Sequence, residues 1–134
     1  MDEKETGRLV EAALKARRFA KAKYSNFHVG TAILTTDNQI FSGCNVESSS
    51  YSLSICAERI ALTKALSEGK TDFKAIAIAG RDGVFCPPCG ACRQMLYDYA
   101  PDLIVILSDG RRTRVYSLKE LLPHAFDDSQ LSTK

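Results

Sequence analysis

Three cysteines, Cys86, Cys89 and Cys92, fall within seven residues of one another, and a fourth, Cys56, stands two residues before an acid, Glu58. Cys89 and Cys92 are spaced i, i+3 at the start of a predicted helix, so both thiols point the same way. Cys56 also falls near a predicted helix start, at about the second helical position if Ser54 is the cap. The positive end of a helix dipole favours thiolate, the form of cysteine that binds metal. Two helix N-termini bringing three soft ligands to one point suit Zn²⁺, and three protein ligands leave a fourth position open, as in a catalytic rather than a structural site. Glu58, in the first turn of a buried helix beside such a metal, is placed to take a proton from metal-bound water.

Other uses of the cysteines remain open on spacing alone. Cys86, Cys89 and Cys92 have the C-x2-C-x2-C spacing that opens a bacterial iron–sulfur run, but that run continues x3-Cys-Pro, and here Leu96 and Tyr97 occupy those positions. A closed structural zinc with Cys86 or Cys44 as fourth ligand would leave Glu58 buried without a partner, which is costly. Cys44 and Cys86 read instead as small buried hydrophobes. Five cysteines in all, an odd number, argue against a disulfide framework.

The elements that must position these residues follow from hydrophobic period and turn chemistry. Residues 6–22 read as an amphipathic helix with Val10, Ala13 and Leu14 on one face and Lys15, Arg17, Arg18, Lys21 and Lys23 at its basic, solvated C-terminal end. Residues 28–36 and 39–46, parted by Asp37-Asn38, read as a β-hairpin. Residues 55–68 form a helix apolar on most sides, and so buried, with Ser54 as N-cap and Gly69 as its stop. Residues 73–79 are an apolar run, as in a strand covered on both faces. A helix follows Pro88 as far as Tyr99, then a buried strand from Leu103 to Leu107, a turn at Asp109-Gly110, a short strand from Thr113 to Ser117 and a closing helix from Leu118. Strands joined through helices require parallel pairing somewhere, so the expected architecture is an α/β fold with a mixed five-stranded sheet between helices.

The composition fits one domain spanning residues 1–134, with 45% apolar and 25% charged residues. A net charge of +2 argues against bulk nucleic acid or an anionic membrane as the main partner. No run of 18 apolar residues offers a membrane span, and the polar start Met1-Asp2-Glu3-Lys4-Glu5 lacks a signal-peptide core. The expected location is cytoplasmic.

Cys56-Ala57-Glu58 followed about 30 residues later by Pro88-Cys89-Gly90-Ala91-Cys92 matches the signature of zinc nucleobase deaminases in its three-cysteine form. At these residues the chain resembles the small, homotetrameric cytidine deaminases, and the resemblance extends beyond the metal motif. Tyr24-Ser25-Asn26-Phe27-His28-Val29-Gly30, Gly43-Cys44-Asn45-Val46-Glu47 with Tyr51, Ile55-Cys56-Ala57-Glu58-Arg59, Pro88-Cys89-Gly90-Ala91-Cys92-Arg93-Gln94, and Leu121-Leu122-Pro123 with Phe126 all resemble segments of that family. Ser48, where the family usually has Asn, and Pro87, where it often has Ser, depart from the pattern.

The resemblance implies a three-layer α/β/α sandwich and hydrolytic deamination of cytidine and 2′-deoxycytidine to the uridines, with release of ammonia, a pyrimidine salvage reaction. It implies one Zn²⁺ per subunit on Cys56, Cys89 and Cys92, a zinc-bound hydroxide as nucleophile, and Glu58 as the proton shuttle. It further implies substrate binding by Phe27 against the base, Asn45 and Glu47 at the ribose 3′-hydroxyl, the Ala57 backbone at the pyrimidine, and Tyr51 and Phe126 around the pocket. Neighbouring subunits of a homotetramer would complete each site. Asn45 and Glu47 are i, i+2 at a strand end and so face one side.

Zn²⁺ with three thiolates carries a formal charge of 2 − 3 = −1, which blunts its power to acidify water. Arg59 and Arg93 are the cations within the motifs, and at least one of them, Arg59 by preference, is expected to hydrogen-bond a cysteine sulfur. Rival substrates are a nucleotide, a free base or a cytosine-nucleoside antibiotic. A phosphate would call for an Arg or Lys cluster, whereas Glu47 repels it. Polynucleotide editing lacks the basic, aromatic stripe it would need. The non-enzyme rival is an interaction module built on structural zinc.

Overall fold

The computed structural model describes residues 1–131. In chain order it contains α1 (Glu3–Arg17), β1 (Gly30–Thr35), β2 (Ile40–Cys44), α2 (Ala57–Ser67), β3 (Phe73–Ala79), α3 (Gly90–Tyr99), β4 (Ile104–Ser108), β5 (Thr113–Ser117) and α4 (Leu118–Leu121), with short 3₁₀ turns at Tyr51–Leu53 and Asp128–Gln130. The strands form one five-stranded sheet in the order β2-β1-β3-β4-β5. Within this sheet the β3–β4 pair is parallel, and α3 supplies its crossover.

The two faces of the sheet carry two cores, and β3 shows how. Its Ala75, Ala77 and Ala79 pack with Leu9 and Ala13 of α1, while Ile76 and Ile78 face the other way, into a cluster with Leu62 of α2, Leu96 of α3 and Leu118 of α4. Strand alternation thus puts small residues under α1 and large ones under α2 and α3. The expected three-layer α/β/α arrangement with a mixed five-stranded sheet is present.

Two glycines bring the helices down onto the hairpin. A Cβ at Gly30 would lie 2.0 Å from the Ala13 carbonyl oxygen, and one at Gly43 would lie 2.6 Å from the Ala57 carbonyl oxygen and the Ala61 nitrogen. α1 therefore rests on β1 and α2 on β2 with no side chain between them. The buried Thr31 hydroxyl then donates to the Ala57 carbonyl at 2.8 Å, which fixes the first residue of α2 against the sheet.

Element ends differ from the sequence expectation at both site-forming places. α1 begins earlier, capped by Asp2 accepting from the Glu5 amide at 2.7 Å, and it ends at Arg17 rather than near residue 22. Beyond it the chain pairs with the segment after β2: the Lys21 amide donates to the Asn45 carbonyl and the Glu47 amide to the Lys21 carbonyl, both at 2.9 Å. Those strand-like bonds outcompete another helical turn. α2 is capped by Cys56, not Ser54, because Ile55 is committed to a backbone pair with Val46 and the Ser54 hydroxyl accepts from the Ser48 amide. Gly69, at φ +84, does end that helix, in a conformation glycine adopts without strain.

Candidate metal centre and active site

Cys56 and Cys89 each occupy the cap position of a helix, α2 and α3, and neither side chain makes a cap hydrogen bond. Cys92, one turn further along α3, is fully buried, Cys56 is half-buried and Cys89 is exposed. The three Sγ atoms lie within 4.8 Å of one another, with Cys89 and Cys92 3.5 Å apart. Three thiolates at about 2.3 Å from one tetrahedral ion stand about 3.8 Å from each other, so the trio fits Zn²⁺ in number, softness and spacing.

Charge at the trio is uneven. The Cys56 thiol is pulled down to about 5, first by a hydrogen bond from Cys92 and then by Arg59 and Cys89. Cys92 is pushed up, first by that same bond and then by burial. Arg59 places Nη2 3.6 Å from the Cys56 Sγ, the sulfur contact expected from sequence. Arg93 does not reach sulfur. Its guanidinium donates to the Pro88 and Leu121 carbonyls, each at 2.7 Å, so it braces the segment entering Cys89 against the end of α4.

Beside the sulfurs lies a cleft of about 360 Å³. Cys56, Ala57, Glu58 and Cys89 line it from the helix starts, and Phe27, Asn45 and Glu47 from the loops around β1 and β2. Glu58 is 5% exposed, and burial pushes its carboxyl up to about 7, with the nearby Cys56 charge acting in the same direction. A carboxyl so placed can both take and return a proton near neutral pH.

Asn45 and Glu47 are already tied into the chain. Asn45 donates to the Phe27 carbonyl at 2.8 Å and accepts from the Val29 amide at 2.9 Å. The Glu47 carboxylate accepts from the Tyr24 and Ser25 amides at 3.0 and 3.1 Å and from the Ser25 hydroxyl, bonds that hold it below the usual carboxylate range. Both residues thereby fix the loop that presents Phe27.

The chain matches the family model for the cytidine and deoxycytidylate deaminase zinc-binding region over residues 3–108, which includes all three cysteines and Glu58. The chain belongs to the cytidine deaminase family. A cytidine deaminase of Halalkalibacterium halodurans is 43% identical over 120 residues, covering 88% of this chain and 91% of the relative. The crystal structure of cytidine deaminase from Burkholderia pseudomallei superposes with a TM-score of 0.87 at 46% identity, covering 94% of this chain and all of that one. That of the Mycobacterium tuberculosis enzyme gives 0.79 at 36% identity, covering 90% and 96%. The cytidine deaminase fold is therefore the fold of this chain, and Cys56, Cys89 and Cys92 form the cluster of its zinc-binding region able to hold the ion.

Two of the residues expected to bind substrate, Tyr51 and Phe126, do not line the cleft. Tyr51 is 75% exposed, edge-on to Tyr24 in a neighbouring hollow that shares Glu47 with the cleft. Phe126 is 53% exposed and lies over α3, where the Gln94 amide donates to its carbonyl at 2.8 Å. Cys86, expected as a buried packing residue, is instead only half-buried and forms part of the cleft wall. Burial pushes its thiol up to about 11, so it stays protonated. Its position three residues before Cys89, across two prolines that fix the chain, was the signal for a wall residue. Among the described residues, no helix is long and apolar enough to cross a membrane.

Proposed function

We propose that this chain catalyses hydrolytic deamination of cytidine and 2′-deoxycytidine, giving uridine and 2′-deoxyuridine with release of ammonia. The observation that carries this reading is the convergence of the three-cysteine cluster, the buried Glu58 and the Phe27 ring on one cleft. Its volume and its mixture of aromatic wall and few polar groups suit a small flat ligand. Zinc, one ion per chain when bound to Cys56, Cys89 and Cys92, would supply Lewis acidity that makes water nucleophilic at neutral pH.

The remaining work falls to the chain's own residues. Glu58 accepts the proton of the attacking water and delivers it to the pyrimidine N3, then carries the proton of the new C4 hydroxyl to the C4 amine, which leaves as ammonia as the C4 carbonyl forms. Phe27 flanks the base and the Ala57 backbone bonds its edge. Asn45 and Glu47 meet the ribose 3′-hydroxyl. Glu47 has three of its acceptor positions filled within the chain, leaving room for one more donor. Arg59 offsets the negative charge of the thiolates, and Arg93 holds the segment that presents Cys89. Tyr51 and Phe126, exposed and outside the lining of their own cleft, act on the cleft of a neighbouring subunit in a homotetramer. A cytoplasmic nucleoside-salvage enzyme, acting as a single catalytic domain, is the setting that fits these properties.

The test is turnover of cytidine, deoxycytidine, dCMP and cytosine by ultraviolet absorbance, with zinc measured on the same protein. Turnover of both nucleosides by a zinc-bearing protein supports the reading. Zinc with turnover of dCMP or cytosine alone overturns it in favour of a deaminase for that substrate, and zinc with turnover of none of the four overturns it in favour of a structural-zinc module.

A further inference from the structure

Phe27 and Cys86 line the cleft from two separate loops, and one residue outside the cleft lies behind both. Gly80, the first residue after β3, is buried, and a Cβ built on it would lie 2.9 Å from the Cys86 Cβ, 3.2 Å from the Phe27 Cζ and 3.4 Å from the Cys86 Sγ. The Cys86 Cβ sits next to the backbone, so it cannot swing aside as the tip of a long side chain would. Gly80 is not in the left-handed region, unlike Gly69, Gly83 and Gly110. Space, not backbone conformation, is what a side chain here lacks.

The Gly80 backbone is itself anchored. Its carbonyl accepts from Arg17 Nη1 at 2.6 Å, and the same nitrogen reaches the Asp82 carboxylate at 2.8 Å. The Phe27 loop is fixed from the opposite side by Asn45, and the Arg81 guanidinium lies 5.7 Å from the Phe27 ring centroid. With both ends held, a methyl on Gly80 is accommodated only by displacing Cys86 and the tip of the Phe27 ring away from β3. Gly80 does not line the cleft but shares a separate hollow with Phe27, Arg17 and Arg81, so the Phe27 ring stands between Gly80 and the cleft.

We propose that Gly80 is a positioning residue that sets the width of the cleft, its missing side chain seating the Phe27 ring and Cys86 far enough back to admit a flat pyrimidine. This rests on the reading of the cleft as the nucleoside site. Gly80 touches no substrate and acts through the two wall residues.

A double-mutant cycle on the zinc-loaded protein tests it, with kcat and KM for cytidine and the Kd of uridine by calorimetry as readouts. Gly80→Ala is expected to raise KM and the uridine Kd together by about five-fold or more, with kcat within about two-fold, because the chemical groups at Glu58 are untouched while the wall moves. Cys86→Gly removes the tightest contact, at 2.9 Å, and leaves only the looser 3.2 Å approach to the Phe27 Cζ, so in that background Gly80→Ala should change KM by about two-fold or less. Equal effects in both backgrounds, or an unchanged KM in Gly80→Ala, overturn the proposal. If Gly80→Ala alone does not fold, the comparison of Cys86→Gly with the double variant decides. A folded double variant matching Cys86→Gly supports the proposal, and one that fails to fold or has a raised KM overturns it. An unmutated protein that neither turns over cytidine nor binds uridine overturns the nucleoside reading and this inference with it, whereas a normal unmutated protein with an indifferent Gly80→Ala overturns this inference alone.

Discussion

Arg59 Nη2 lies 3.6 Å from Cys56 Sγ, and the Nε of the same guanidinium is buried with no hydrogen-bond partner. An arginine held this way, with one donor on sulfur, would offset the charge of a three-thiolate site, and the Cys56 thiolate in turn holds the guanidinium above its ordinary range. Partners that hydrogen-bond a metal ligand typically contribute about 10–100-fold to affinity or activity. Arg59→Ala is therefore expected to lose about that factor in zinc affinity, read by competition with a chelator, or in kcat. A variant with full zinc retention and full kcat would show that the contact has no electrostatic role.

Asn45 joins the Phe27 carbonyl to the Val29 amide, acting as donor to one and acceptor to the other. Asn45→Ala leaves both backbone groups without their partner and should cost about 1–3 kcal/mol in urea unfolding. Asn45→Asp should do little better, because a carboxylate can accept from Val29 but cannot donate to Phe27. Both variants are expected to raise KM through the Phe27 loop. Unchanged stability in Asn45→Ala would show that the loop is held by other contacts.

Asp109 gives the fold an acid-sensitive corner between β4 and β5. Its carboxylate accepts from the Arg111 and Arg112 amides at 2.9 and 2.6 Å and from the Arg112 side chain at 3.3 Å, and the amide bonds first of all hold it below the usual carboxylate range. A folded-state value lowered below the unfolded one of about 3.9 means that the contribution is fully present above that pH and is lost as pH falls toward the folded value. The urea midpoints of the unmutated protein and Asp109→Asn should differ at pH 6 and converge below about pH 4. A gap that stays constant with pH would contradict this.

Chelation provides a further check on the cysteine trio. A metal held by residues on α2 and α3 stabilises only the folded chain, so removal of zinc should lower Tm and re-addition should restore it. Cys92→Ala, which removes the fully buried ligand, should make Tm insensitive to chelator. A Tm indifferent to chelation in the unmutated protein would mean that the trio does not hold a metal.

Much of this is legible in the sequence. The apolar run 73–79 became β3, covered on both faces, and Cys-x-Glu and Pro-Cys-x-x-Cys came out at two helix starts because those motifs carry their own geometry. What stayed hidden depended on partners distant in sequence. Nothing near Arg17 announces that α1 must stop there, since the residues that end it by pairing are Asn45 and Glu47. Ser54 reads as a better cap than Cys56 until Ile55 is seen paired with Val46. Arg59 and Arg93 look alike beside their cysteines, yet one reaches sulfur and the other two carbonyls, a difference set by the end of α4 at Leu121. Gly80 has no local signature, because its role is defined by a ring and a thiol from other loops.

In the proposed reaction Glu58 moves the proton at a zinc site that deaminates cytidine. The most direct measurement is cytidine turnover by Glu58→Gln, with zinc content determined on the same sample. Glutamine keeps the size and polarity of the buried side chain but cannot shuttle a proton, so the variant should retain about one zinc per chain and lose about 10²–10⁴-fold in kcat. A zinc-bearing Glu58→Gln protein with undiminished turnover would show that Glu58 does not carry the proton.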